Sequence, residues 1–336
     1  MRVSVFNFLK PPPRMAGVAT LIAATLAVVI ALVMFVLPSG VKADAPASVT
    51  PLSMEMVAPG VYVHTGVHED PSPGNQGDIA NIGFIVGASG VAVIDSGDNP
   101  ALGRRLRAAI RKVTDLPILY VVNTHMHPDH VLGNAAFKAD DPEYIGHVRL
   151  AAALADREAF YLKALETQLG EELAFGAEII PPTRTVGIGV PVEIDLGGRV
   201  LVLTAYPTAH TDNDLTVLDR LTGTLWAGDL IFIDRIPSLD GSLTGWIEVL
   251  DELRSVEAAR LVPGHGPASA EWPQAASGTA RYLKILAGDI RAILARNGSL
   301  QEAASSAGQG EKGNWVLFDE YNGGNATAGY VELEWE

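Results

Sequence analysis

The sequence predicts an α/β protein of the α+β kind, with two sheets sandwiched between flanking helices. Three observations lead there. Short β-rich runs gather in two stretches, roughly residues 60–123 and 190–263. Each stretch is followed by segments with helical apolar spacing, the arrangement that packs helices onto sheets. No internal period recurs, which sets repeat architectures aside.

The elements follow in order. Gly60–Gly66 (GVYVHTG) alternates like a half-buried strand. Asn81–Gly87 and Val91–Ser96 read as two more, split by a Gly-Ala-Ser-Gly turn. Ala101–Val113 has the pattern of an amphipathic helix, and Leu119–Asn123 that of a buried strand running into a His-rich loop. Val148–Phe175 is long and helical. Its Ala152, Tyr161, Leu162, Leu165 and Leu169 read as a core face, or as a lid inserted between two polar clusters. Val190–Tyr206 holds one or two strands, and Leu215–Asp219 and Gly223–Ala227 hold one each. Ile247–Arg260 is helical, Arg260–Pro263 a short strand and Ala275–Ala295 a well-patterned helix. The main domain is therefore expected over 57–300, after a Pro/Ser-rich linker at 46–56. A C-terminal extension, 301–336, is apolar enough at Trp315–Phe318 and from Tyr330 onward to dock on the body.

The first 45 residues read as a targeting segment. Arg2, Lys10 and Arg14 precede an uncharged run of 23 residues, Met15 to Leu37. About 20 apolar residues span a bilayer core, and a secretory apolar region is usually about 7–15. One reading is a long cleaved signal peptide, cut after Val41-Lys42-Ala43; cutting after Ala45 is hindered by Pro46. The other is an uncleaved membrane anchor through 15–37. Both place the body outside the cytoplasmic membrane, periplasmic or exported. No adjacent Arg pair indicates export in a folded state.

Charge and cysteine content exclude several functions. The chain has 24 Lys+Arg against 39 Asp+Glu, a net −15. Arg2, Lys10, Arg14 and Lys42 all precede the first acid, Asp44. The 24 less those four leaves 20 against 39, a body of net −19. Such a body repels phosphate backbones, so no nucleic-acid partner is expected. With no cysteine there is no disulfide, no thiolate nucleophile and no Cys-ligated zinc.

The chemistry concentrates in one cluster. Three of eight histidines lie in His125-Met-His127-Pro-Asp129-His130, directly after a strand. His125 and His127, two apart, present their rings to the same side, and Asp129 and His130 turn back to a nearby second point. Downstream stand His210 (TAHTDND), Asp229 (LWAGDLIF) and His265 (VPGHGP), each after an apolar strand and beside small residues. A rigid sheet edge offering ligands to one cleft has this form. Five imidazoles and two carboxylates suit Zn²⁺, with Fe or Mn²⁺ as alternatives, and are enough for two ions. The assignment is His125, His127 and His210 to the first, Asp129, His130 and His265 to the second, and Asp229 between them. Water shared by such ions becomes a nucleophile near neutral pH, and Asp129 is the candidate catalytic proton carrier.

Blander readings stand beside these. A lone polar residue in a turn of small residues explains His210, Asp229 or His265 one at a time. Asp95 (VAVIDSG) either orients a ligand from behind or bonds its own turn. His147 (YIGHVRL) either backs the site in the same way or caps the following helix. His64 and His68 read as surface residues, Asp212 to Asp214 as a structural turn, and Asp240-Gly-Ser242 as a surface turn with too few carboxylates for calcium.

The order His125-X-His127-X-Asp129-His130, His210, Asp229, His265 resembles the metallo-β-lactamase superfamily over roughly residues 55–270. That resemblance implies a four-layer αβ/βα sandwich, two mixed sheets flanked by helices, with a metal site at the edge of the two sheets. THMHPDHVLGNAAF, PTAHTDNDLTVLD, GHGP and the final ELEWE are similar to the quinoprotein relay system zinc metallohydrolases, a narrower group. This implies a periplasmic setting beside pyrroloquinoline-quinone-linked dehydrogenases. The absence of cysteine separates the chain from β-lactamases with Cys at the second zinc. The Asp229 bridge resembles glyoxalase II and other thioester or lactone hydrolases. Flavodiiron proteins carry Glu where His127 stands, whereas persulfide dioxygenases share much of the ligand set with one iron.

The resulting expectation is a zinc hydrolase acting on the carbonyl of an ester, thioester or lactone. The alternatives are an iron oxidoreductase on the same fold and a non-catalytic periplasmic relay protein whose metal is structural. No Arg or Lys beside the ligand motifs identifies a substrate anchor, and no site for a β-lactam carboxylate is legible.

Overall fold

The alternating runs fold as strands because one face of each can be buried while the backbone is satisfied by neighbours. A computed structural model describes residues 49–336. The apolar run at 15–37, the expected cleavage site and the start of the linker lie outside the described residues. Among the described residues no helix is long and apolar enough to cross a membrane.

Two sheets form. The first has seven strands in chain order: β1 (Glu55–Ala58), β2 (Val61–His64), β3 (Ile82–Val86), β4 (Val91–Ile94), β5 (Ile118–Val122), β6 (Glu143–His147) and β7 (Arg184–Val186). β1 to β4 pair antiparallel and β4 to β7 parallel. The second holds β8 (Val192–Asp195), β9 (Val200–Ala205), β10 (Leu215–Asp219), β11 (Thr224–Phe232) and β12 (Arg260–His265). Only its β11–β12 pair is parallel.

Burial follows the pleat. Val61, Val63, Ile85 and Ile94 face Leu201, Leu203, Val217 and Trp226 between the sheets. On the outer face of the first sheet, Phe84, Val93 and Val121 meet Leu102, Leu106 and Ile110 of helix α1 (Pro100–Val113). Asn99 caps that helix by accepting from Leu102 N at 2.9 Å, and Pro100 presets its first turn. On the outer face of the second sheet, Trp246 and Leu250 of α5 (Leu243–Leu253) and Leu283, Leu286 and Ile290 of α6 (Ala276–Ala295) close the other side. This is the four-layer sandwich. Each buried Leu, Ile or Val contributes about 1.5–3 kcal/mol.

Between β5 and β6 lie a one-turn helix α2 (Pro128–Val131) and a 3₁₀ stretch (Leu132–Asp140). α3 (Leu150–Leu169) and the short α4 (Glu171–Ala174) join β6 to β7. The long helix expected over 148–175 is thus two, broken at Gly170, whose φ of +89° lies outside the helical region. Glu55 and Met56, read as linker, already pair with Val63 and Tyr62. The C-terminal residues form α7 (Leu300–Ser306) and α8 (Phe318–Leu333), and Ala303, Trp315, Phe318 and Leu333 join the core beside α6.

Candidate metal centre

Sheet edges deliver the seven polar residues to one place. β5 ends at Val122, so His125 and His127 sit in the loop after it and His130 in the turn of α2. His210 follows β9 and His265 ends β12. Asp229 lies inside β11, which runs five residues beyond the expected strand end at Ala227. The β11–β12 register slips on both sides of Gly228, whose φ is +52°. A bulge of this kind re-aims a side chain, here the Asp229 carboxylate. A Cβ on Gly264 of the adjacent strand would collide with Asp229 Oδ1, so glycine is required there.

Two groups result: His125, His127, His210 and Asp229, and Asp129, His130 and His265. In the first, His127 Nδ1 lies 3.0 Å from His125 Nε2 and 3.1 Å from His210 Nε2. Asp229 joins the two groups. Its Oδ2 is 3.5 Å from His210 Nε2 and 3.3 Å from His265 Nε2, and its Oδ1 is 3.2 Å from His130 Nε2. Asp129 Oδ2 stands 3.3 Å from His265 Nε2 and 3.6 Å from His130 Nε2.

The outward nitrogens set the tautomers. His130 Nδ1 donates to Asp95 Oδ2 at 2.8 Å, His210 Nδ1 to Ser238 O at 2.6 Å and His265 Nδ1 to Ile79 O at 2.7 Å. Thr124 Oγ1 donates to Asp95 at 2.7 Å, so it accepts from His125 Nδ1 at 3.1 Å. His127 Nε2 donates to Asp240 Oδ2 at 3.1 Å. Each imidazole therefore spends its N–H on an outer acceptor and turns a lone pair inward. Five inward lone pairs and two carboxylates repel one another unless a cation sits among them.

Other observations agree that the residues fit metal. His130 Nε2 and Asp229 Oδ1 are buried without a hydrogen-bond partner among the described residues. Burial opposes a charged His130, yet Asp229, Asp129 and Asp95 raise its pKa well above the usual imidazole range. Burial would raise Asp229, but His265, His130 and His125 hold it well below the carboxylate range. The carboxylates around His130 thus favour positive charge at the position a cation would take. His210, where burial dominates, is pushed down to about 3 and keeps its lone pair.

Asp95 is where a ligand-orienting residue should be, accepting from Thr124 N, Thr124 Oγ1 and His130 Nδ1. His147 is not brought to the cluster. Its Nδ1 accepts from Arg149 N at 3.0 Å and its Nε2 meets Tyr206 O at 3.1 Å, so it braces the start of α3. Asp214 accepts from Thr211 N and Oγ1, a structural turn. His64 departs from the surface reading: it is largely buried and its Nε2 is 2.8 Å from Asp78.

The centre floors a cavity of about 450 Å³. α3 is both core and wall. Leu154, Tyr161 and Leu165 pack on Met126 and Leu132, while Arg157, Phe160 and Tyr161 line the cavity. Asp98 also lines it; burial, then the charge of Asp129, raises its carboxyl well above the ordinary range. Sequence reasoning missed Asp240 and Arg235. Asp240 reaches His127 from 113 residues away, and Arg235 lines the cavity beside His265. No local pattern marks either residue. Asp240→Ala is expected to weaken metal affinity at the His127 group about tenfold, because a ligand loses its orienting acceptor. Competition with a chromophoric chelator measures this; unchanged affinity would leave Asp240 without that role.

Fold and site together define a metallo-β-lactamase-fold, metal-dependent hydrolase with a His/Asp cluster able to hold metal. Residues 75–265 match the family model of the Metallo-beta-lactamase superfamily, and the chain belongs to that superfamily. A metallo-beta-lactamase from Pontibacter korlensis superposes with a TM-score of 0.55 at 19% identity, covering 69% of this chain and 99% of that one. One from Hirschia baltica gives 0.54 at 19%, covering 69% and 97%. A mono-zinc form of a Pseudomonas aeruginosa enzyme gives 0.54 at 20%, covering 70% and 96%. These likenesses are of fold. A linear primary-alkylsulfatase from Pseudomonas sp. (strain ATCC 19151) is 37% identical over 69 residues, 20% of this chain. The matched stretch is 13% of that protein's length.

Proposed function

We propose that the protein hydrolyses an ester-, thioester- or lactone-type carbonyl with two zinc ions held by the seven residues. His125, His127 and His210 would hold one ion and Asp129, His130 and His265 the other. The observation that carries the reading is Asp229, whose two oxygens face both groups at 3.2–3.5 Å. A bound pair supplies Lewis acidity and acidifies water toward neutral pH.

The chain's own residues do the rest. Asp129, its side chain 13% exposed at the cavity floor, takes a proton from the attacking water and returns it to the leaving atom. Asp95 and Asp240 hold His130 and His127 in their tautomers. Phe160 and Tyr161 supply apolar surface on the α3 side of the cavity. The site works outside the cytoplasmic membrane, reached through residues 1–45 as a signal peptide or as an anchor through 15–37. A pyrroloquinoline-quinone-linked dehydrogenase system is its setting; the motif similarity at residues 124–137 and 207–219 supports this. A sulfate ester is the second reading, favoured by the stretch shared with the alkylsulfatase.

The test is a metal count on protein from metal-defined medium, joined to a screen of esters, thioesters, lactones, β-lactams and alkyl sulfates. The expected result is carbonyl hydrolysis that chelation abolishes and zinc restores. One tightly held iron with no hydrolysis would overturn the reading in favour of an oxidoreductase.

A further inference from the structure

We infer that α8 of the C-terminal extension positions the metal centre, a role that rests on reading His125, His127 and His210 as holders of one ion. Asn325 and Glu332 grip the loop over residues 237–244 at its two ends. Through Ser238 O and Asp240 that loop holds His210 and His127 with their lone pairs inward.

α8 is a weak helix by composition. Asn322, Gly323, Gly324, Asn325 and Gly329 are all poor helix formers, so the element owes its order to what it packs against. Asn325 and Glu332 stand about two turns apart and therefore on one face. Gly329 lies between them. A Cβ there would meet Leu243 Cδ2 at 2.7 Å, so α8 sits directly on the first residue of α5.

The buried Asn325 amide is fully used. Its Oδ1 accepts from Leu239 N at 2.9 Å, and its Nδ2 donates to Pro237 O at 2.7 Å and to Tyr282 Oη at 2.9 Å. Tyr282 of α6 donates in turn to Asn322 Oδ1 at 3.0 Å, which fixes the way the Asn325 amide faces. The two loop contacts bracket Ser238, whose carbonyl accepts the His210 Nδ1 proton at 2.6 Å. At the other end Glu332 accepts from Ser242 Oγ at 2.8 Å, Leu243 N at 2.6 Å and Thr244 N at 3.1 Å. Its carboxylate thus caps α5 from another helix.

Asp240, the acceptor for His127 Nε2, lies between the two grips. The same loop is tied to the His210 segment, with Asp240 N donating to His210 O at 3.1 Å and Ser242 N to Ala209 O at 2.9 Å. A short loop held at both ends and along its middle cannot turn Ser238 O or Asp240 away, so each ring keeps one tautomer. The second group draws its orienting acceptors from other segments, Asp95 for His130 and Ile79 O for His265. Loosening the grips should therefore weaken one ion and spare the other. Linkage is reciprocal, so filling the first site also secures α8.

The test uses the full chain. In metal-free protein labelled with ¹⁵N-histidine, ring spectra read each tautomer. The parent is expected to show His210 with the proton on Nδ1 and His127 with it on Nε2. Asn325→Ala and Glu332→Ala should mix both tautomers and leave His130 and His265 unchanged. Glu332→Gln, which keeps one acceptor oxygen, should fall between parent and Glu332→Ala. Competition with a chromophoric chelator should show one zinc ion held about tenfold more weakly in the alanine variants and the other within about threefold of the parent. In the parent, zinc should slow amide exchange at Leu239 and along α8 more than in β8, at the far edge of the second sheet. A merely structural helix would lower the melting temperature of the variants and leave tautomers and stepwise affinities where they were. That result, or α8 amides indifferent to zinc, would overturn the proposal. Tautomers that shift in the variants while the parent binds no zinc would overturn the metal reading and leave the grip on the histidines standing.

Discussion

Replacing Asp229 by asparagine is expected to cut turnover roughly a thousandfold and to reduce bound zinc from two ions to one. Among the described residues this carboxylate faces both ligand sets, at 3.5 Å from His210 of the first and 3.2 Å from His130 of the second. An amide of equal size loses the charge, and its NH₂ nitrogen has no lone pair to offer a cation. The side chain has nowhere else to go, since Gly264 packs directly against its Oδ1. Lewis-acid stabilisation is worth several kcal/mol, and each 1.36 kcal/mol is about tenfold in rate, which gives the estimate. Elemental analysis and steady-state rates measure both effects. Two ions retained with turnover within about tenfold of the parent would refute the bridging role.

Stripping the metal with a chelator should lower the melting temperature by about 10 °C. Lone pairs 3.0–3.1 Å apart repel, and the bare site leaves His130 Nε2 and Asp229 Oδ1 buried without hydrogen-bond partners among the described residues. A ligand present at 1,000 times its Kd stabilises the folded state by about 4 kcal/mol. In a domain of this size each kcal/mol moves the midpoint by about 2–4 °C. Calorimetry before chelation, after it and after zinc is returned checks the value. An unchanged midpoint would mean that the seven residues tolerate one another without a cation, and the metal centre would fall with it.

Legibility followed distance along the chain. The cluster from His125 to His130 was readable because four polar groups share one turn after one strand. Asp95 was readable as an orienting candidate because it ends a neighbouring strand. Asp240 looked like a solvated turn, and its acceptor role exists only because the loop after β11 folds back over His127. Of the two readings of His147 the structure takes the one at the start of the helix: its strand neighbours β5 in the same sheet, yet its ring faces Tyr206 O and Arg149 N. Arg235 follows Asp229 by six residues with nothing to mark it, and its surroundings come from Asp70, His265 and Tyr321.

The amino-acid sequence alone determined the sheet-and-helix order, the apolar faces and which side chains have the donor chemistry for metal. These follow from local periodicity and from the identity of each residue. The tertiary structure alone decided which oxygens and nitrogens face inward, which carboxylate is shared and which arginine borders the cavity. Those outcomes depend on the β11 bulge, on a glycine's missing side chain and on a C-terminal helix packed against a loop far away in the chain. Contacts between distant segments leave no spacing signal, because the energy that selects them arises only when the segments meet.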